Sequence, residues 1–253
     1  MANRNRKLAT ENALYLYGVS RGMGKTPPGA SSPGIDGVNP VKPLVCGDFL
    51  CWVSNVDQAS FTEALERNME NLEWLALHSV RHQQVVGEVA ARMAIVPARF
   101  GTVFSGEAAL RANVTERSKG LAKVFNRVAD SDEWGVKVFA EKQAGRPTPS
   151  TARSGKEYLR QKAAEVRQRP ERSDPELQNF VDALGKVASE SAPSGKVSGA
   201  QPSLLWQATF LVPRSRQKEW DKVLSGFVER WSGVRRIELN GPWPPYSFVA
   251  DAD

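Results

Sequence analysis

Three groups of residues have types and spacings that could do chemistry. The run Gly18-Val19-Ser20-Arg21-Gly22-Met23-Gly24-Lys25-Thr26 ends in the Gly-Lys-Thr of a phosphate-binding loop. In such a loop backbone N–H groups cradle the phosphates, and the loop opens a helix whose N-terminal amides face the anion. Here Val19 holds the place of the first glycine, with Gly18 one residue early. Pro27-Pro28-Gly29 and Ser31-Ser32-Pro33-Gly34 then follow, so no helix can start. His78 and His82, the only histidines, have the i, i+4 spacing of a zinc pair, but no nearby Cys or Asp offers a third ligand. Their neighbours Trp74, Val85 and Val89 point to packing and hydrogen bonding instead. Cys46 and Cys51 lack the Cys-x-x-Cys spacing and read as small buried apolar groups. No Ser–His–acid set is legible. The expectation is a protein that is not an enzyme and holds no cofactor or metal.

Charge marks a fourth region. The chain carries 34 Lys and Arg against 28 Asp and Glu, a net charge of +6. Residues 142–172 hold nine basic and three acidic residues, which equals the whole surplus. A basic segment can bind nucleic acid. This one has a single aromatic, Tyr158, so it offers no stacking platform and matches no recognition motif. It reads as a solvated helix with a polar loop, and no nucleic-acid partner is expected. A nucleotide-binding enzyme using Gly22–Thr26 and a basic nucleic-acid regulator are the alternatives that these two features raise.

These groups must be positioned by a mixed set of elements. Ala13–Val19 reads as a strand, residues 20–40 as a flexible Gly/Pro/Ser loop, and the apolar runs on either side of Gly47-Asp48 as a hairpin. Ser60 to about Met93 keeps a 3.6-residue apolar period and reads as one long helix opened by a Ser60/Glu63 capping box. Strand 99–104, helix 107–129, strand 134–139, helices 154–168 and 174–189, a loop over 191–203, strand 204–212, helix 216–231 and strand 235–239 follow. In the helix over 216–231, Trp220, Val223, Leu224, Phe227, Val228 and Trp231 form one apolar face. The order from 107 onward implies an α+β sheet with helices on one face, and the chain reads as two α+β domains, 1–105 and 106–253. The longest apolar run, Ala13–Tyr17, is far too short to span a membrane, and no secretory signal is legible. A cytoplasmic protein without a lipid-membrane partner is expected.

The tail Gly241-Pro242-Trp243-Pro244-Pro245-Tyr246-Ser247-Phe248 sets three aromatics on a proline-stiffened segment. Three large rings left in water would expose a sizeable apolar patch, so Trp243 at least is expected to be buried against its own chain, as a clasp. The tail also resembles the C-terminal signature of the gas vesicle proteins GvpF and GvpL. Other pieces fall in that family's order: Leu16-Tyr17-Gly18-Val19; Asn71-Leu72-Glu73-Trp74-Leu75 with His82, Val85 and Val86; Val96-Pro97-Ala98-Arg99-Phe100-Gly101-Thr102-Val103-Phe104; Glu133–Val138; Ser154–Leu159; and Leu211-Val212-Pro213. One departure is Asn240, where the family pattern has Thr. The resemblance implies that the second domain is a modified ferredoxin-like fold, an antiparallel sheet with helices packed on it. It implies a non-enzymatic accessory or minor structural protein that binds the hydrophobic shell protein GvpA and other gas vesicle accessory proteins. Such a protein limits shell-protein aggregation and helps nucleate the vesicle. Trp243, Pro244, Pro245, Tyr246, Phe248, Arg99 and Phe100 are the candidate partner-binding or clasp residues.

Overall fold

In the computed structural model, residues 12–22, 24–68, 70–141, 174–193 and 203–249 are described. Strand β1 (Asn12–Arg21) lies at the centre of the first sheet. It pairs antiparallel with β3 (Phe49–Asp57) on one side and with β4 (Ile95–Pro97) and β5 (Val103–Phe104) on the other. β2 (Lys42–Cys46) pairs with β3 as the expected hairpin, Cys46 opposite Phe49, with Gly47 at φ +61° in the turn. The register of β1 against β3 slips between Leu16 and Gly18, so Tyr17 is an extra, bulged residue. Gly18 is needed there, because a Cβ would lie 2.7 Å from the Ile95 side chain.

Both faces of this sheet are covered. Helices α1 (Gln58–Asn68) and α2 (Leu72–Ala90) pack Phe61, Val85, Val86 and Val89 with Ala13, Tyr15, Tyr17, Trp52 and Val56. The alternate residues Leu14, Leu16, Val19, Cys51 and Val53 are buried too. On that side lies α3 (Glu107–Val128), with Leu110, Val114, Leu121, Val124, Phe125 and Val128 buried and Phe125 stacked on Phe49 at 5.8 Å. Burial from two sides explains why β1 and β3 are nearly continuous apolar runs. The expected helix over 60–93 is two helices. Asn71 caps α2 by accepting from the Trp74 N–H at 3.1 Å, a break that the uninterrupted apolar period conceals. Of the expected strand 99–104 only Val103–Phe104 is strand, as β5, and the other strand here, β4, lies just before it at Ile95–Pro97.

The second sheet has the order β7-β8-β6-β9, formed by β6 (Ser131–Ala140), β7 (Glu190–Pro193), β8 (Leu204–Pro213) and β9 (Arg235–Trp243). Val136, Val138, Ala208, Phe210 and Val212 alternate onto one face. There they meet Phe180, Leu184 and Val187 of α4 (Pro175–Val187) and Trp220, Leu224 and Phe227 of α5 (Gln217–Arg230). Each large side chain buried this way stabilises by roughly 1.5–3 kcal/mol. Val228, expected on the same face, is instead exposed. Asp174 caps α4, accepting from the Leu177 N–H at 3.0 Å and pairing with Arg235 at 2.8 Å. β7 lies partly in the stretch expected to be loop, where Ser191 pairs with Phe210.

The chain divides into two compact units, Met1–Glu133 with Gly241–Asp253, and Trp134–Asn240. The boundary expected near residue 105 falls inside the first of these, because α3 packs on β2, β4 and β5. The mixed α+β class, with helices packed on two sheets, is as expected.

Candidate functional site

The 98–102 loop and the tail are the irregular segments to which the candidate residues belong, and both are held in the first unit. The loop is tied to β1 throughout. Ala98 N–H donates to the Tyr17 carbonyl at 2.9 Å, and Leu16 N–H donates to the Thr102 carbonyl at 2.9 Å. Gly101 N–H donates to the Tyr15 hydroxyl at 3.1 Å. Gly101 sits at φ +84°, with a Cβ position only 3.2 Å from Leu65. The Tyr15 hydroxyl is also hydrogen-bonded to Nδ1 of His82, 2.8 Å away.

His82 is 2% exposed. Desolvation lowers its pKa to about 4, with the Ala98 carbonyl acting weakly in the other direction. Burial likewise raises the hydroxyls around it, Tyr15 strongly and Tyr17 to about 12. Tyr17 OH bonds Ser54 Oγ at 2.9 Å and accepts from Ile35 N–H at 2.6 Å. Phe100 packs edge-on against His82 at 6.1 Å and against Trp74 at 6.5 Å. At neutral pH this is an uncharged aromatic cluster that positions a loop.

The tail docks through residues other than Trp243. Trp243 is 43% exposed, which corrects the expectation that it is the buried anchor. Pro244, Pro245 and Phe248 are buried instead. The reason is a tight 3-10 turn over Tyr246–Phe248. In it Tyr246 N–H donates to the Pro244 carbonyl at 2.8 Å and Phe248 N–H to the Pro245 carbonyl at 3.1 Å. The turn points Tyr246 towards His82, with ring centres 6.4 Å apart. Glu133 accepts from both the N–H and the hydroxyl of Ser247, at 2.7 and 2.8 Å, and Arg127 donates to the Phe248 carbonyl. Burial raises the Glu133 carboxyl, and the two Ser247 bonds pull it back.

Loop, tail, β1 and α3 together enclose a cleft of about 110 Å³. Its walls are apolar, from Leu16, Val19, Val114 and Leu121, closed by Tyr246 and Val249 of the tail. Arg99 from the loop and Arg117 from α3 also line it. Of the seven candidate residues, the structure therefore brings Arg99 and Tyr246 to one cleft. Phe100 supports the loop, and Pro244, Pro245 and Phe248 seat the tail. Arg117 escaped the sequence reading, although it had a signal. It follows Leu110 and Val114 and precedes Leu121 at helical spacing, a cation set into an apolar stripe.

After Gly24-Lys25-Thr26 the next helix is α1, which starts only at Gln58. His78 stacks on Trp74 at 3.9 Å and its Nδ1 meets the Trp74 carbonyl at 2.8 Å. Among the described residues no cluster of three His, Cys, Asp or Glu could hold a metal ion. Cys46 and Cys51 are free and buried, and burial drives the Cys51 thiol strongly up. The basic segment 142–172 and the helix expected over 154–168 lie outside the described residues.

Residues 13–250 match the family described as "Gas vesicle synthesis protein GvpL/GvpF". This chain belongs to the GvpL/GvpF family. It is 30% identical to gas vesicle protein L of Streptomyces sp. (strain CB03234), across 97% of this chain and 96% of that protein. Gas vesicle protein F of the same strain is 28% identical, across 94% of this chain and 99% of that protein. The fold is similar to that of GvpF from Anabaena sp. PCC7120, with a TM-score of 0.70 at 20% identity, covering 94% of this chain and 98% of that one. GvpF from Microcystis aeruginosa gives a TM-score of 0.67 at 19% identity, with the same coverage. The GvpL/GvpF match runs through both units, so the cleft, the clasped tail and the second sheet all belong to the family region. Among the described residues no helix is long and apolar enough to cross a membrane.

Proposed function

We propose that this protein is a non-enzymatic gas vesicle accessory and minor structural protein. It binds the hydrophobic shell protein GvpA in a chaperone-like manner, limits its aggregation and helps nucleate the vesicle. It works in the cytoplasm and on the growing vesicle, together with other gas vesicle accessory proteins. The observation that carries this reading is the GvpL/GvpF match over residues 13–250. A shell subunit must hide apolar surface before it assembles, and a partner that covers that surface removes the route to aggregation. The exposed Leu72, Leu77 and Val80 on α2 support apolar contact with such a partner.

In the same proposal the second unit is a modified ferredoxin-like domain. Its described elements run β6, α4, β7, β8, α5, β9, and the first strand lies between the third and the last in the sheet. Pro244, Pro245, Tyr246 and Phe248 act as the clasp, and the surfaces they hold in place, with Arg99 and Phe100, make the partner contact. Trp243 stands beside them on the surface. Co-expression with the shell protein, followed by pull-down and light scattering, tests the function. The expected result is a soluble complex and delayed scattering. Absence of a complex together with an unchanged aggregation rate refutes the reading.

A further inference from the structure

Helix α2 buries one face in the first core, through Val85, Val86 and Val89. Turned the other way, at spacings of three and four, are Ala76, Leu77, Val80, Gln83, Gln84 and Gly87, all exposed. None of these six is charged. A surface helix sets charged and polar residues on its outer side, and apolar residues on both sides mark a helix that becomes covered. Leu77 and Val80 are half exposed, and Leu72 at the start of the helix is 79% exposed. Gly87 is an independent sign on the same row. A glycine inside a helix is destabilising relative to Ala. A Cβ at Gly87 would meet nothing within 4 Å, so no packing within the chain requires its absence. Two turns beyond Val80, it leaves a notch where another backbone can approach closely.

Charge decides between occupants. The row opens with Glu73, and Glu70 lies just before the helix; both are exposed, and neither is in an ion pair with another described residue. The cations nearby are engaged elsewhere. Arg81 donates to the Ile35 carbonyl at 3.2 Å, Arg67 pairs with Glu63 at 3.4 Å, and Arg92 pairs with Glu88 at 3.6 Å and lies over Trp52. A second copy laid antiparallel along the row would bring Glu73 to the Gly87 end, where Arg92 is already held by Glu88. A parallel copy would set Glu73 against Glu73. Both leave the carboxylate unanswered, so the row suits a different chain that brings a cation to this end. The 19 residues of α2 span about 28 Å, room for one helix of similar length. A single helix pair stays below roughly 1,200 Å² of buried surface, the range of transient complexes.

We propose that this outer face of α2 docks an amphipathic helix of a partner protein. The partner's apolar row packs on Leu77, Val80 and the Gly87 notch, and its Lys or Arg pairs with Glu73. The inference rests on the accessory-protein reading above and adds the surface and the chemistry of the segment that it holds. A transient contact of this size lets the partner be passed on to the growing vesicle.

The test measures binding of the full-length protein to the shell protein and to synthetic peptides tiling the shell protein, with light scattering of the protein alone. Three variants at exposed positions are compared with wild type, each checked by thermal melting. They are Leu77→Gln combined with Val80→Gln, Gly87→Gln, and Glu73→Lys. The peptides bound by wild type should turn helical on binding, carry apolar residues every three or four positions and end in a Lys or Arg. Each variant should weaken binding by about tenfold or more. Gly87→Gln should do so with an unchanged or raised melting temperature, because Gln is the better helix former. Replacing the peptide's cation with Glu should abolish wild-type binding and restore binding to Glu73→Lys. Wild-type binding that all three variants retain overturns the α2 proposal and leaves the accessory function standing. A wild-type dimer that the Leu77/Val80 variant splits gives the face to a second copy and also overturns it. If wild type binds neither shell protein nor peptides, both readings fall.

Discussion

Protonation of His82 should destabilise the first unit in mild acid. The ring is 2% exposed and its pKa falls from 6.5 to about 4 on folding. The groups facing it are Tyr15, Tyr17 and Tyr246, all raised by burial and neutral throughout the acid range, so none compensates a positive ring. Because the unfolded state binds the proton more readily, the contribution is fully present above pH 6.5 and is lost as pH falls towards 4. One pKa unit corresponds to about 1.4 kcal/mol, so the loss is about 2 kcal/mol at pH 5 and about 3 kcal/mol below pH 4. Urea unfolding at pH 7 and pH 5, followed by circular dichroism, reads this directly. The carboxylates titrate over part of the same range, so wild type is compared with His82→Asn, which keeps an acceptor near Tyr15 and cannot be protonated. Wild type should lose about 2 kcal/mol more than the variant between the two pH values. Parallel losses in the two proteins would show that His82 is not held neutral by burial.

The tail should be anchored by Phe248, which is 4% exposed. Phe248→Ala should cost about 3–5 kcal/mol and lower the melting temperature, whereas Trp243→Ala, at a half-exposed ring, should leave the melt nearly unchanged. The reverse order would return the anchor to Trp243. Cys46 and Cys51 are buried, and the Cys51 thiol is raised by desolvation and by its contact with Cys46. Iodoacetamide at neutral pH should therefore label neither in the native protein and both in urea, as read by mass spectrometry. Rapid native labelling would contradict the burial of the β2–β3 hairpin.

Much of this protein is determined locally, and those parts were legible in the amino-acid sequence. The Gly47-Asp48 turn between two apolar runs dictates the β2–β3 hairpin. The apolar stripe through Trp220, Leu224 and Phe227 dictates α5 and the face it buries. Pro27, Pro28 and Pro33 exclude a helix after Gly24-Lys25-Thr26. These outcomes depend on neighbouring residues and on periods of two or 3.6, which sequence carries in full. The ordered family motifs were legible for the same reason.

Other features depend on which surfaces meet, and only the tertiary structure decided them. The apolar period through residue 71 hides the Asn71 cap, because the side chain's bond to Trp74 N–H competes with a helix that the pattern alone would continue. Tyr15 and His82 are 67 residues apart, and nothing in their spacing announces the hydrogen bond that fixes the imidazole. Composition singled out Trp243, the largest ring in the tail, as the buried group. The turn over Tyr246–Phe248 sends Phe248 inward, since a ring's burial depends on where the backbone aims it rather than on its size. Arg117 carried a mark in the sequence, a cation within an apolar stripe. Its pairing with Arg99 across one cleft required α3 to cover the far face of the β1 sheet. That face is chosen by long-range burial, and no local period encodes it.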